Sequence, residues 1–315
     1  MAFTLRIKKT GLFGNKTISL QEIVQNCGFK YGVYNDFYVL DEDQDRNGSC
    51  ILYNPQHIGR GISFSNYGSE VEIRHNIPTT ASEIVDFVKL LAEIKRQYGK
   101  CEIRDKDSGK VLPFEAFADE IPAHLIELSS KEIIEGAKRG KEYGSWILTL
   151  AKWPFFADDE MIEEMSQPGK AQRFAEILHE KQNIDAYYAK PHFYRNSVDN
   201  STLAGYTYTE ECTSIFPTDF NCFIDANNPT QPFKADKGMI SFFIFSEKRT
   251  LDGIYDYDKF IKYVMDHGAT KYDANHILLP EYTKEQILEI SSGLREQDAI
   301  IEQVLHKLRF VDPIE

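Results

Sequence analysis

Two rhythms of apolar residues run along this chain. In some stretches apolar and polar residues alternate, and in others apolar residues recur every three or four positions. The first rhythm wets one face of a strand and buries the other; the second does the same for a helix. Residues 3–7 alternate and predict a half-buried strand. Ser19 predicts the cap of a short helix through Cys27, with Gly28 in the stop position. Residues 34–40 and 50–53 predict strands around an acidic turn ending in the Asn47-Gly48 dipeptide, a hairpin signal. Residues 62–65 and 71–75 predict a second hairpin across Asn66, Tyr67 and Gly68. Thr80 and Glu83 stand in capping-box spacing before Ile84, Val88, Leu91, Ile94 and Tyr98, so a helix is predicted there, ended by Gly99. A strand over 101–104 and a turn at Asp107 to Gly109 follow. Residues 129–143 predict a largely polar helix that bridges rather than fills a core.

The second half opens with a strand over 146–150 and two helices over 158–166 and 170–182. A β-rich, aromatic block then runs over 186–245, interrupted by a loop over 227–232. Asp256 caps a helix with Phe260, Ile261 and Val264 on its apolar face. Thr283 with Gln286 caps a last helix extending to about Phe310, whose nearly heptad-spaced Ile287, Ile290, Leu294, Ile301, Val304 and Leu308 predict lengthwise docking on the protein's own body. The order predicts an α+β fold: two mixed subdomains of mainly antiparallel sheet with helices on one face, plus the long C-terminal helix. The divisions expected are an N-terminal α+β domain over 1–128, a helical connector over 129–145, and an acidic C-terminal α+β domain over 146–315. The tripeptide Ile-Ser-Phe at 62–64 and 240–242 raises duplication of one unit as an alternative to coincidence.

Composition narrows the picture. A chain of 315 residues with 42% hydrophobic positions builds cores without disulfide or metal staples. The net charge of −13 is unevenly spread: residues 1–150 hold 21 acids and 19 bases, residues 151–315 hold 28 acids and 17 bases. Such a field opposes nucleic acid and favours solubility or a basic protein partner. The five cysteines form no Cys-x-x-Cys pair, so no metal site is expected and each thiol reads as a small buried hydrophobe in a reducing compartment. The apolar run over 146–157, broken by Lys152 and Pro154, is too short to span a membrane, and a cytoplasmic location is expected. No cofactor is implied, and monomer and dimer both stay open.

Candidate chemistry is sparse. Asp43, Asp45 and Asn47 with Gly48 match the opening of a calcium loop, but Asn54 stands where the bidentate Glu belongs; a soluble acidic turn is the plainer reading. Gln56 to Gly61 sets His57 and Arg60 beside Gly59 and Gly61, a loop able to hold a phosphate or carboxylate, or simply a connector. Residues 11–16 have the glycines of a P-loop but neither its spacing nor its hydroxyl. Tyr187, Tyr188, Lys190, His192, Phe193, Tyr194 and Arg195 are dense in aromatics and bases, as in a sugar or nucleobase site, though strands are also built of aromatics. No nucleophile elbow, zinc-protease or kinase signature occurs, and catalytic residues stay unassigned.

Residues 58–61, two alternating strands leading into residues 77–80, then residues 187–191 with Phe193 and Tyr194, and residues 215–217 together resemble a bacterial family of about 300 residues known only as a domain of unknown function. The resemblance spans nearly the whole chain. It implies a bacterial cytosolic origin and brings no functional residues with it. The leading expectation is a non-catalytic cytoplasmic binding protein acting through its acidic, aromatic-rich C-terminal half. The alternative is an enzyme with a dispersed site on a small polar ligand such as a sugar or nucleotide, near Tyr188, His192 and Arg195.

Overall fold

The computed structural model describes residues 1–11, 17–167, 171–196, 200–226, 233–295 and 308–310. Backbone contacts divide the chain into two compact units, Met1–Ile184 and Asp185–Glu315.

The first unit begins with β1 (Ala2–Lys9), α1 (Leu20–Cys27), β2 (Lys30–Tyr34), β3 (Leu40–Glu42), β4 (Ser49–Tyr53), β5 (Ile62–Asn66), β6 (Glu70–Asn76), α2 (Ala81–Tyr98) and β7 (Cys101–Asp105). Its strands form one antiparallel sheet in the order β3-β2-β4-β5-β6-β1-β7. Alternation turns Leu5, Ile7, Leu52, Phe64, Val71 and Ile73 onto one face, where Phe87, Leu90, Leu91 and Ile94 of α2 cover them. The α2 cap forms as expected: Thr80 Oγ1 accepts from the Glu83 amide at 3.1 Å, and the Gly99 amide closes the last turn on the Lys95 carbonyl.

Beyond a 3₁₀ turn at Phe114–Phe117 come α3 (Glu120–Tyr143), β8 (Trp146–Thr149), β9 (Pro154–Ala157), α4 (Asp159–Ser166) and α5 (Ala171–Glu180). The helix expected from Ser129 starts nine residues earlier, and the stretch read as a connector is its C-terminal part. The small residues on the buried face of α3, Gly136, Ala137 and Gly140, let Trp146 and Ile162 approach the helix backbone. Ile133 and Ala137 then share a core with Leu148, Phe155, Ile162, Phe174 and Ile177. That core joins β8 to α5 with the first unit.

The second unit comprises β10 (Tyr187–Tyr188), β11 (His192–Asn196), β12 (Thr202–Thr209), β13 (Ser214–Pro217), β14 (Lys237–Ile244), β15 (Arg249–Thr250), β16 (Tyr255–Asp256), α6 (Tyr257–Asp266), β17 (Thr270–Lys271), β18 (His276–Leu279), α7 (Lys284–Arg295) and β19 (Leu308–Phe310). One sheet runs β15-β14-β12-β11-β19 with β16 also on β14; the other runs β10-β13-β18-β17. The pairs β12–β14 and β10–β13 are parallel and the rest antiparallel. Tyr206, Phe216, Phe242, Tyr257 and Phe260 meet edge-on or tilted in the core between them. The fold is α+β with mainly antiparallel sheet. The C-terminal helix, expected to reach Phe310, does not: Leu308–Phe310 is a strand on β11, the described helix is Lys284–Arg295, and residues 296–307 lie outside the described residues. The shared tripeptide sits in different settings, antiparallel to both β4 and β6 at 62–64, but at 240–242 parallel to β12 and, at Ile240, antiparallel to β16.

Candidate functional site

The loop ahead of β5 does hold a carboxylate, and the carboxylate is the protein's own. Glu83 is 4% exposed; its Oε1 accepts from the Gly61 amide at 2.6 Å and its Oε2 from Thr79 Oγ1 at 2.9 Å. The Arg60 amide also donates to it. Burial raises its pKa, opposed by these bonds and by the Arg60 guanidinium. Arg60 donates from Nε to the Thr149 carbonyl (3.1 Å) and from Nη1 to the Pro78 carbonyl (3.2 Å), and burial lowers its pKa. Gly61 adopts φ +76°, while a Cβ on Gly59 would stand 2.7 Å from Glu83 Oε1 and closer still to its Oε2 and Cδ. Thr79 is fixed in turn because its amide donates to Ser129 Oγ on α3.

Around this centre the other polar groups are paired among themselves. His57 Nε2 donates to Asp86 Oδ2 at 2.7 Å, and Asn54 donates to Asp86 Oδ1. The Ile58 amide donates to His179 Nδ1, and Gln182 donates to the Gly59 carbonyl. His75 differs: it is 1% exposed, and neither ring nitrogen has a hydrogen-bond partner.

The acidic turn is built as a turn. Asn47 (φ +54°) and Gly48 (φ +80°) take the left-handed conformations a two-residue reversal needs, Arg46 and Ser49 bridge across them, and Asp45 Oδ1 accepts from the Gly48 amide. Among the described residues, no group of three or more His, Cys, Asp or Glu is placed to hold a metal ion. Burial pushes the thiols of Cys27 up to about 11 and of Cys50 and Cys222 up to about 12, so they stay protonated. The P-loop-like stretch lies mostly outside the described residues.

In the second unit the structure separates the residues grouped by sequence. Tyr188 is buried on β10 and donates to His276 Nε2 at 2.8 Å, while His276 Nδ1 donates to Asp273 Oδ1 at 2.9 Å. This relay ties the edge strand β10 to β18 across the intervening β13. His192 and Arg195 lie in the other sheet, three residues apart on β11, and therefore point to opposite faces. The expected Tyr188–His192–Arg195 site is not assembled.

One face of β11, β12 and β14 instead forms a half-open groove of about 250 Å³, lined by Tyr194, Gly205, Thr207, Met239, Ser241 and Ile254. Thr207 and Ser241 hydroxyls are 3.0 Å apart, and Ser241 also donates to the Tyr206 carbonyl. The Tyr194 ring lies close over Gly205, where a Cβ would stand 2.7 Å from its Cε2. His192 pairs with Gly205 and projects on this same face. A second cavity, about 210 Å³, opens in the first unit where α2, α3 and α5 meet around Thr79, Ser82, Ser129, Ser130 and Gln172. No carboxylate, imidazole, thiol or amine lines either cavity.

A family model described as Domain of unknown function (DUF4299) matches residues 2–290. The chain belongs to the DUF4299 family. No curated protein and no solved structure matches it. The match takes in the Glu83 cradle, the Tyr188 relay and the groove of this DUF4299 chain. Sequence reasoning marked the loop over 56–61 as an anion holder but missed the anion, since Glu83 reads as a capping-box residue. His276, Asp273, Thr207 and Ser241 carried no local signal, because pairing brings them to their partners from positions 34 to 88 residues away or through an ordinary turn. Among the described residues, no helix is long and apolar enough to cross a membrane.

Proposed function

We propose that this protein is a non-catalytic binding protein whose ligand lies in the groove on β11, β12 and β14. The observation that carries this reading is the chemistry of the lining: two hydroxyls, a tyrosine ring and aliphatic side chains, with no charged group. Such a surface suits a small uncharged ligand with several hydroxyls and an apolar face, as a sugar has. A nucleotide would bring phosphates to a groove without a cation. The Tyr188–His276–Asp273 chain supports this reading rather than catalysis because His276 and Asp273 are closed off from solvent, where no substrate reaches them.

Titration calorimetry with glucose, galactose and maltose at millimolar concentration tests the reading. Saturable heat that Thr207→Val and Ser241→Ala each reduce at least fivefold supports it. No heat from any of the three overturns it, as does binding that ignores both substitutions.

A second reading has its own support. Residues 185–315 carry 21 acids against 13 bases. Within them partial burial and the neighbouring Asp256 and Asp219 raise the Asp258 carboxyl pKa, so three carboxylates stand near one another. A basic protein partner fits that cluster. Native purification at low and high salt tests it: a stoichiometric, salt-released basic partner that Asp258→Lys abolishes is the expected result, and a protein that comes down alone removes this reading.

A further inference from the structure

His75 is the one buried side chain of the first unit left with both polar atoms unpartnered among the described residues. It stands on β6 opposite Phe3 of β1 and Ile62 of β5, its ring 5.3 Å from the Phe87 ring of α2. Buried polar groups are ordinarily hydrogen-bonded, so a histidine here is a costly choice where phenylalanine or leucine would pack. From the loop ahead of β5, Arg60 brings a positive charge close enough to act on the ring. From α2, Glu83 is held by Gly61 and Thr79, and Asp86 is engaged by His57 and Asn54. The inward residues of β1 and β5 are Leu5, Ile7, Ile62 and Phe64, none of them charged.

We propose that His75 is the trigger of an acid-sensitive latch, which holds α2 on the sheet while the ring is neutral and releases it when the ring takes a proton. An imidazolium carries two N–H donors, and this site offers an acceptor to neither. It also sets a second positive charge beside Arg60. Burial first and Arg60 second lower the His75 pKa from 6.5 to about 3. A base whose folded pKa is depressed contributes fully above its unfolded value, so this contribution is intact above about pH 6.5 and declines as pH falls toward 3. Glu83 acts with the opposite sign: its raised pKa means the folded state takes up that proton more readily, so mild acid relieves a buried charge there. A substitution at His75 separates the two.

Urea unfolding followed by tryptophan fluorescence, at about pH 8 and pH 5, is paired with amide hydrogen exchange of α2 corrected for intrinsic rates. Between those pH values His75 alone raises the unfolding constant about 30-fold. In the wild type the α2 amides are expected to lose protection ahead of β4 and β5. His75→Phe, which fills the space beside Phe87 without titrating, is expected to remove both effects; His75→Gln gives the same comparison if the larger ring overpacks the site. Equal acid sensitivity in wild type and either folded variant overturns the proposal, and so does acid loss that strikes the whole sheet and α2 together.

Discussion

Gly59→Ala perturbs the Glu83 cradle without straining the backbone, since Gly59 is not among the positive-φ glycines. The added methyl would stand 2.7 Å from Glu83 Oε1 and nearer still to its Oε2 and Cδ, so the carboxylate has to move. Moving it breaks the bonds from the Gly61 amide and Thr79 Oγ1. Hydrogen bonds to a charged acceptor contribute about 1.5–3 kcal/mol each, so losing the two costs about 3–6 kcal/mol. The smaller entropy of the unfolded alanine chain returns about 0.5–1 kcal/mol. The net expectation, about 2–5 kcal/mol, is a large fraction of a typical domain's stability. Both tryptophans, Trp146 and Trp153, belong to the first unit, so urea unfolding read by their fluorescence follows this unit alone. The decisive form is a cycle with Glu83→Ala. Without the carboxylate the methyl has nothing to displace, and Gly59→Ala is expected to cost less than about 1 kcal/mol in that background. Equal cost in both backgrounds would refute the argument that the glycine exists to make room for Glu83.

Two further substitutions test the packing and the relay. Gly136→Ala places a Cβ 2.5 Å from Cε2 and 2.9 Å from Nε1 of Trp146, so α3 and the β8–β9 hairpin must separate. A loss of about 1–3 kcal/mol with a shifted Trp146 emission is expected; an unshifted spectrum and unchanged midpoint would contradict the close approach. Tyr188→Phe leaves His276 Nε2 buried without its donor, costing about 1–3 kcal/mol in the second unit. Amide exchange of β10 and β18 reads that loss, which tryptophan fluorescence will miss; undiminished protection in both strands would count against the relay.

Sequence made the local grammar legible and the long-range partners obscure. Ser19, Thr80, Asp158, Asp256 and Thr283 all stand at helix starts and cap the amide three residues ahead with their side chains, Gln286 answering Thr283 in return. These signals read clearly because cap and capped amide are neighbours in the chain. At α2 the same pattern misled: Thr80 caps Glu83, but the Glu83 carboxylate turns to a loop 22 residues upstream. The α3 stripe escaped notice because glycine carries no apolar signal, although it is what admits Trp146. The Asn47-Gly48 turn was legible as a turn, yet β4 goes on to pair with β2, a choice set by the sheet rather than the reversal. The aromatic block over 186–245 was legible as β-rich. Its division between two sheets, which parts Tyr188 from His192, depends on pairings with β13 and β12 that no local pattern encodes.

The place of β1 in its sheet bears on how the first unit comes into being during synthesis. The strand leaves the ribosome before β6 and β7, yet it lies between them, paired to residues 70–76 on one side and 101–105 on the other. The β5–β6 hairpin can zip as soon as it emerges, whereas β1 must wait through more than sixty residues for its first neighbour. Over that interval a nascent chain exposes Leu5 and Ile7 on an unpaired strand, an opening for wrong partners that a chaperone or rapid elongation would close. Severing this strand would therefore do more than shorten the chain: it would remove the slat that joins β7 to everything before it.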